Sequence, residues 1–171
     1  MSKQPYKRIL GNYKSSYRDY YTLKNLVAIR TGSLIFIILN VILRILYFVF
    51  PESLTRAQNY PEFNFTNWLY IGITPLFFLG SFALIYLFKK QKKANIVTGI
   101  FVFLFALFII SCGMFSSFIA TSDPRNALTL YLTALSIISV VFVFESYETM
   151  LMIVLVEFVL SDVLFTKINF G

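Results

Sequence analysis

Five long apolar blocks, each close to the length that crosses a bilayer, fill most of the sequence and leave few ways for it to fold. The block at 31–50 holds one charge, Arg44, and those at 68–88, 96–120 and 127–144 hold none. The last, 147–165, carries Glu148 at its start, Glu157 near its middle and Asp162 near its end. A helix needs about 20 mostly apolar residues to cross the hydrocarbon core, and only helices or closed barrels satisfy their backbone there. Barrel strands are roughly 10 residues long and alternate in polarity. These blocks are longer and apolar on all sides. A chain that is 58% hydrophobic and 13% charged also lacks the polar surface to cover five such blocks in water. The expected fold is an all-α integral membrane bundle of about five transmembrane helices, preceded by a basic amphipathic helix. The chain divides into an arm at 1–30 and a transmembrane domain at 31–171.

The positive charges set the orientation. Lys3, Lys7, Arg8, Lys14, Arg18, Lys24 and Arg30 precede the first block, and Lys89, Lys90, Lys92 and Lys93 fill the second hinge. The first connection has only Arg56 and the third only Arg125. Lys and Arg in short loops mark the cytoplasmic face. The amino terminus and the Lys89–Lys93 hinge are therefore expected inside a cell membrane, of the bacterial inner-membrane kind. The hinge at 145–147 falls inside by parity, and residue 171 outside.

The net charge is +7, and eleven of the fifteen basic residues thus fall on one face. Lys89, Lys90, Lys92, Lys93, Arg18 and Arg30 are the expected contacts to anionic lipid headgroups, worth about 1 kcal/mol per residue near the surface. No basic groove with a stacking platform accompanies them, which excludes a nucleic-acid partner. In the arm, Tyr6, Ile9, Leu10, Tyr13, Tyr17, Tyr20 and Tyr21 recur every three or four residues with basic residues between them. That period predicts an amphipathic helix in the membrane interface plane, against Gly11 and Ser15-Ser16, which weaken it. The alternative is a docking face for a cytoplasmic partner. No cleavable signal peptide is visible, because the polar arm is too long for a signal's charged region.

Chemistry is constrained mainly by what is missing. The chain has no His and one Cys, Cys112. It offers no cluster for zinc, haem or copper, and no Ser-His or Cys-His nucleophile. Its seven glycines are scattered and form no phosphate loop. No metal, cofactor or enzymatic activity is expected. Asn64-Phe65-Thr66 matches a glycosylation sequon on an expected outer loop.

Polar residues within the blocks are the functional candidates, since charge at membrane depth is costly. Arg44 lies about thirteen residues into the first block, ~20 Å from the inner face. Asn40 stands one turn earlier on the same face. Asp162 reaches nearly the same depth from the fifth block, with Glu157 deeper. Arg44 and Asp162 are the expected pair, with Asn40 and Glu157 nearby. A register-fixing ion pair, snorkelling of Arg44 and an outward-facing ligand pocket all remain open. Pro75 is expected to kink the second helix. Cys112, Ser116 and Ala120, and Gly113 with Ser117, form small-residue packing faces. Trp68, Tyr70 and Tyr60 suit an outer aromatic belt.

The order of parts resembles the amino-terminal multi-pass sensor region of bacterial signalling proteins such as membrane diguanylate cyclases and histidine kinases. The likeness rests on the arm's end, Asn25-Leu26-Val27-Ala28-Ile29-Arg30, and on Asp123-Pro124-Arg125 leading into Leu128-Thr129-Leu130-Tyr131. The resemblance implies a sensory or signal-input module without catalysis of its own, a homodimer, and an output domain that would follow a sixth helix. The sequence stops after its fifth block, which is expected of an amino-terminal fragment of a longer signalling protein or of a stand-alone membrane protein. The alternatives are a small carrier or proton-coupled permease using Glu157 and Asp162, and a non-catalytic assembly subunit.

Overall fold

A computed structural model describes residues 4–50, 60–91, 93–120 and 129–170. These residues form five helices: α1 Gln4–Val49, α2 Tyr60–Gln91, α3 Ile96–Ala120, α4 Thr129–Val141 and α5 Ser146–Phe170. No strand occurs among them.

Local sequence explains the helix ends. Pro61 occupies the first turn of α2, where a missing N–H costs nothing. Lys89 and Lys90 close the same helix against its negative dipole end. At the start of α3, the Thr98 hydroxyl accepts the Asn95 N–H at 3.2 Å. At the start of α5, the Glu148 carboxylate accepts the Glu145 N–H at 3.0 Å. Both are the back-bonding half of a capping box. The first turn of α4 is capped from another helix: Tyr131 N–H donates to Ser117 Oγ of α3 at 2.9 Å.

The helices pack mostly in antiparallel pairs. The α1–α2 interface is the most extensive and α3–α4 the next. Arg30 lies over Phe82 and Asn40 meets Asn67, so α1 and α2 run in opposite directions. A Cβ on Gly113 would stand 2.5 Å from the Ala134 Cβ and 2.9 Å from the Leu130 carbonyl, a close α3–α4 approach that only glycine permits. Gly80 does the same for α2 and α3, where a Cβ would lie 2.8 Å from the Phe101 ring. The core between the helices is aromatic. Phe77 meets Phe101, Phe105 and Phe108 with ring centres 5.5, 5.1 and 5.3 Å apart.

The outside is apolar as well. Phe48, Val140, Phe158 and Met150 are 87, 82, 75 and 71% exposed. In water, continuous apolar surface on this scale would drive association. Three stretches are long and apolar enough to cross a membrane: Tyr17–Val49, Asn64–Gln91 and Ile96–Ser117. These helices support a membrane protein.

Three of the expected elements take the following form. First, α1 runs unbroken through the expected arm–span boundary at 30 and 31. Gly11 does not stop it, since one glycine inside a long helix costs only about 1 kcal/mol. The end of the arm is not a surface element either: Leu26 and Ile29 are completely buried, in one cluster with Phe105 and Phe142. Second, the described part of the fourth block holds a helix, Thr129–Val141, that ends at Val141. Its 13 described residues measure about 20 Å at 1.5 Å per residue, against ~30 Å for the hydrocarbon core. Third, α2 continues through Pro75 as one helix.

Candidate functional site

Two polar constellations sit on α1, one in its carboxy-terminal third at Asn40 and Arg44 and one nearer its middle at Asp19 and Asn25. The first joins α1 to α2. Asn40 and Arg44 are four apart on α1, and Asn64, Asn67 and Trp68 fall within about one turn of α2, so each set shares a face. Because the helices are antiparallel, the two sets meet. Arg44 Nη1 donates to Asn64 Oδ1 at 2.6 Å, and Nη2 to the Asn64 carbonyl at 3.3 Å. The Arg44 guanidinium also lies 4.3 Å from the Trp68 ring centre and 5.8 Å from that of Tyr47. Asn67 Nδ2 donates to Asn40 Oδ1 at 2.9 Å, while Asn40 Nδ2 donates to the Phe36 carbonyl of its own helix at 2.8 Å.

The cluster is not internally complete. Arg44 Nε and Asn67 Oδ1 are buried and have no hydrogen-bond partner among the described residues. A buried polar atom left unpaired costs about 1–3 kcal/mol. Among the described residues, one donor and one acceptor thus lack a partner, and both atoms are enclosed from solvent.

The seam continues inward with small residues. Ser33, Thr74 and Ser81 are completely buried. Thr74 and Ser81 bond back to the Tyr70 and Phe78 carbonyls, both at 2.6 Å, a usual way for a hydroxyl to be satisfied within a helix. Tyr70 reaches across to α3, where its hydroxyl donates to the Cys112 carbonyl at 3.3 Å.

The second constellation lies at the basic end. Asn25, only 4% exposed, donates from Nδ2 to the Val143 carbonyl at 2.8 Å and accepts the Val143 N–H on Oδ1 at 3.1 Å. One carboxamide thereby satisfies both polar groups of one peptide residue in the α4–α5 hinge, Phe142–Glu145. Six residues earlier on α1, Asp19 Oδ1 accepts the Ala94 N–H of the α2–α3 hinge at 2.6 Å. The two hinges and the amino-terminal half of α1 therefore share one end of the bundle. Arg18 is close enough to Tyr147 to act on it electrostatically. Arg18, Lys24, Lys89, Lys90 and Lys93 are exposed at this end.

The expected site residues are distributed as follows. Asn40 and Arg44 come together, as their spacing predicts. Arg44 is engaged by Asn64 and Trp68 of α2. The Asp162 side chain lies outside the described residues, so the Arg44–Asp162 pair does too. Glu157 is exposed on α5 and within hydrogen-bonding reach of Tyr131 on α4; it is not part of the Arg44 cluster. Of the expected headgroup contacts, Arg18, Lys89, Lys90 and Lys93 are exposed, Arg30 lies 5.3 Å from the Phe82 ring centre, and Lys92 is outside the described residues. Asp123-Pro124-Arg125 and Leu128 are outside them as well.

Sequence reasoning missed Asn64, Asn67 and the Asn25 contact. A signal existed for the first two: an Asn pair three apart at the start of α2 mirrors Asn40 and Arg44 near the end of α1. Among the described residues, no group of three or more His, Cys, Asp or Glu is placed to hold a metal. Comparison with protein families, curated proteins and solved structures finds no match to this chain.

Proposed function

We propose that this chain is a membrane-embedded signal-input module with no catalytic chemistry of its own. The supporting observation is the reach of α1. Near one end it carries the Arg44 cluster, where Arg44 Nε and Asn67 Oδ1 have no partner among the described residues. Toward the other it holds both hinges, through Asp19 and Asn25. A helix displaced at the cluster would move both hinges, which is the mechanical requirement for an input element.

In this proposal α1, α2 and α3 are full spans, and α4 with α5 forms the remaining membrane hairpin. The basic end faces the cytoplasm, where Arg18, Lys89, Lys90 and Lys93 contact anionic headgroups. A homodimer is the form in which such a module would transmit helix shifts to an attached output.

The test uses the full chain in lipid nanodiscs. Small polar solutes carrying adjacent donors and acceptors are screened by thermal shift against the protein and against Arg44→Leu. A solute that raises the melting temperature of the parent chain, and not of the variant, supports the proposal. A full panel that shifts neither counts against a ligand pocket at Arg44.

A carrier is the second reading, favoured by the exposed Glu157 carboxylate facing Tyr131. Solute or proton uptake into proteoliposomes, abolished by Glu157→Gln, would replace the sensory proposal with it.

A further inference from the structure

Nothing in the residues Phe142, Val143 and Phe144 themselves breaks a helix. They include no Gly and no Pro, and aromatic and β-branched residues cost only a few tenths of a kcal/mol each in a helix. Yet α4 stops at Val141 and α5 begins at Ser146. The Asn25 carboxamide supplies the missing cause. In a continuous helix the Val143 N–H and carbonyl would bond along their own chain, one turn behind and one turn ahead. Here Asn25 holds both. The carbonyl can accept twice, but the N–H has one proton to give, so its capture by Asn25 and a helical bond from Val143 compete.

We propose that Asn25 is a conformational latch on the α4–α5 hinge. When it is closed, the hinge is non-helical and the α4–α5 hairpin is tied to α1. When it opens, the Val143 groups are free to bond within the chain. The Val143 N–H can then bond to the Ser139 carbonyl and extend the last turn of α4, while Glu145 keeps its place at the start of α5.

The surrounding contacts allow this movement without unravelling the fold. The α1–α2 pair is joined along its length, at Arg30–Phe82, Asn40–Asn67 and Arg44–Asn64, so α1 stays seated when the latch opens. α5 packs chiefly on α3, and its capping contact from Glu148 to Glu145 is internal to its own start. Asn25 is buried, so the free carboxamide is poorly tolerated and the open state requires α1 and the hinge to shift apart. The latch stands on the hinge geometry alone and holds whether or not the Arg44 cluster binds a ligand.

The test measures spin-label distances in the full chain in nanodiscs, with Cys112→Ala as background. One label pair, Tyr20→Cys with Tyr147→Cys, bridges α1 and the start of α5, both sites being exposed. A reference pair, Val27→Cys with Tyr86→Cys, spans α1 and α2. Asn25→Leu is expected to shift or broaden the first distance by several ångströms and leave the reference distance unchanged. If Asn25→Leu loses the reference distance, it has misfolded, and Asn25→Asp is measured instead; it keeps an acceptor for the Val143 N–H and loses the donor to its carbonyl. A single narrow Tyr20–Tyr147 distance, equal to that of the parent, in a variant that keeps the reference distance overturns the latch.

Discussion

The Arg44 guanidinium lies 4.3 Å from the centre of the Trp68 ring while it also hydrogen-bonds Asn64, one turn earlier on α2. A cation in an apolar stretch is thus held by a ring face and an amide instead of a carboxylate among the described residues. Among the described residues, protein groups solvate the charge and no second ion stands beside it.

Trp68 is the sole tryptophan of the chain, so its fluorescence reports on this contact alone. Arg44→Leu is expected to change the emission of Trp68 and to lower stability by about 1–3 kcal/mol, the worth of a charge-assisted hydrogen bond with a cation–π contact. Arg44→Lys should keep part of the ring contact and lose the two-point hold on Asn64, since an ammonium has no planar fork. Emission spectra and thermal unfolding in detergent check both. An unchanged spectrum in Arg44→Leu would show that the two side chains do not touch.

Asn40 and Asn67 make a second separable test. Asn67→Leu removes the donor to Asn40 Oδ1 and leaves that oxygen without its α2 partner. The expected loss is about 1–3 kcal/mol, the cost of stranding a buried polar atom. The double variant Asn40→Leu/Asn67→Leu replaces both partners by apolar groups and should be more stable than the sum of the singles predicts. Strict additivity in thermal unfolding would show that the two amides act independently.

The sequence made some of this arrangement legible and hid the rest for physical reasons. The apolar blocks announced the helices, because periodicity and length are local properties. Asn40 and Arg44 were visible as one face, because a spacing of four is also local. The partners on α2 required the antiparallel register of two helices, which the spacing on either one does not carry. Asn25 was further out of reach: it acts on Val143, 118 residues away, and its effect is to end a helix that local propensity would continue. Beside that contact Leu26 and Ile29 are buried, just past the Tyr and Lys pattern, whose described residues Tyr17, Arg18 and Tyr20 are exposed. The small-residue face of α3 was legible, since Gly113 and Ser117 both meet α4 as their spacing implied.

That face gives a steric prediction. Gly113→Ala would set a methyl group 2.5 Å from the Ala134 Cβ, so α3 and α4 must separate. The expected cost is about 1–3 kcal/mol, typical of overpacking a tight contact. Ala134→Gly in the same chain should restore part of the loss and not all of it, because the Leu130 carbonyl, 2.9 Å from the same point, remains. Thermal unfolding of the two single variants and the double variant measures the rescue. A Gly113→Ala variant as stable as the parent would mean that the two helices have room to spare.

The contacts of Asn25 and Asp19 make a last prediction about sidedness. Asn25 binds the α4–α5 hinge and Asp19 the α2–α3 hinge, from positions less than two turns apart on one helix. Whatever face of the membrane the Lys89–Lys93 hinge occupies, the start of α5 must therefore occupy it too, although that hinge has no Lys or Arg of its own to direct it. Single cysteines at Lys93, Tyr147 and Phe50 in a Cys112→Ala background test this with a membrane-impermeant maleimide applied to sealed vesicles. Lys93→Cys and Tyr147→Cys should label from the same side, and Phe50→Cys, at the far end of α1, should not label from that side. Labelling of Lys93→Cys and Tyr147→Cys from opposite sides is incompatible with a single Asn25 side chain holding Val143 while Asp19 holds Ala94.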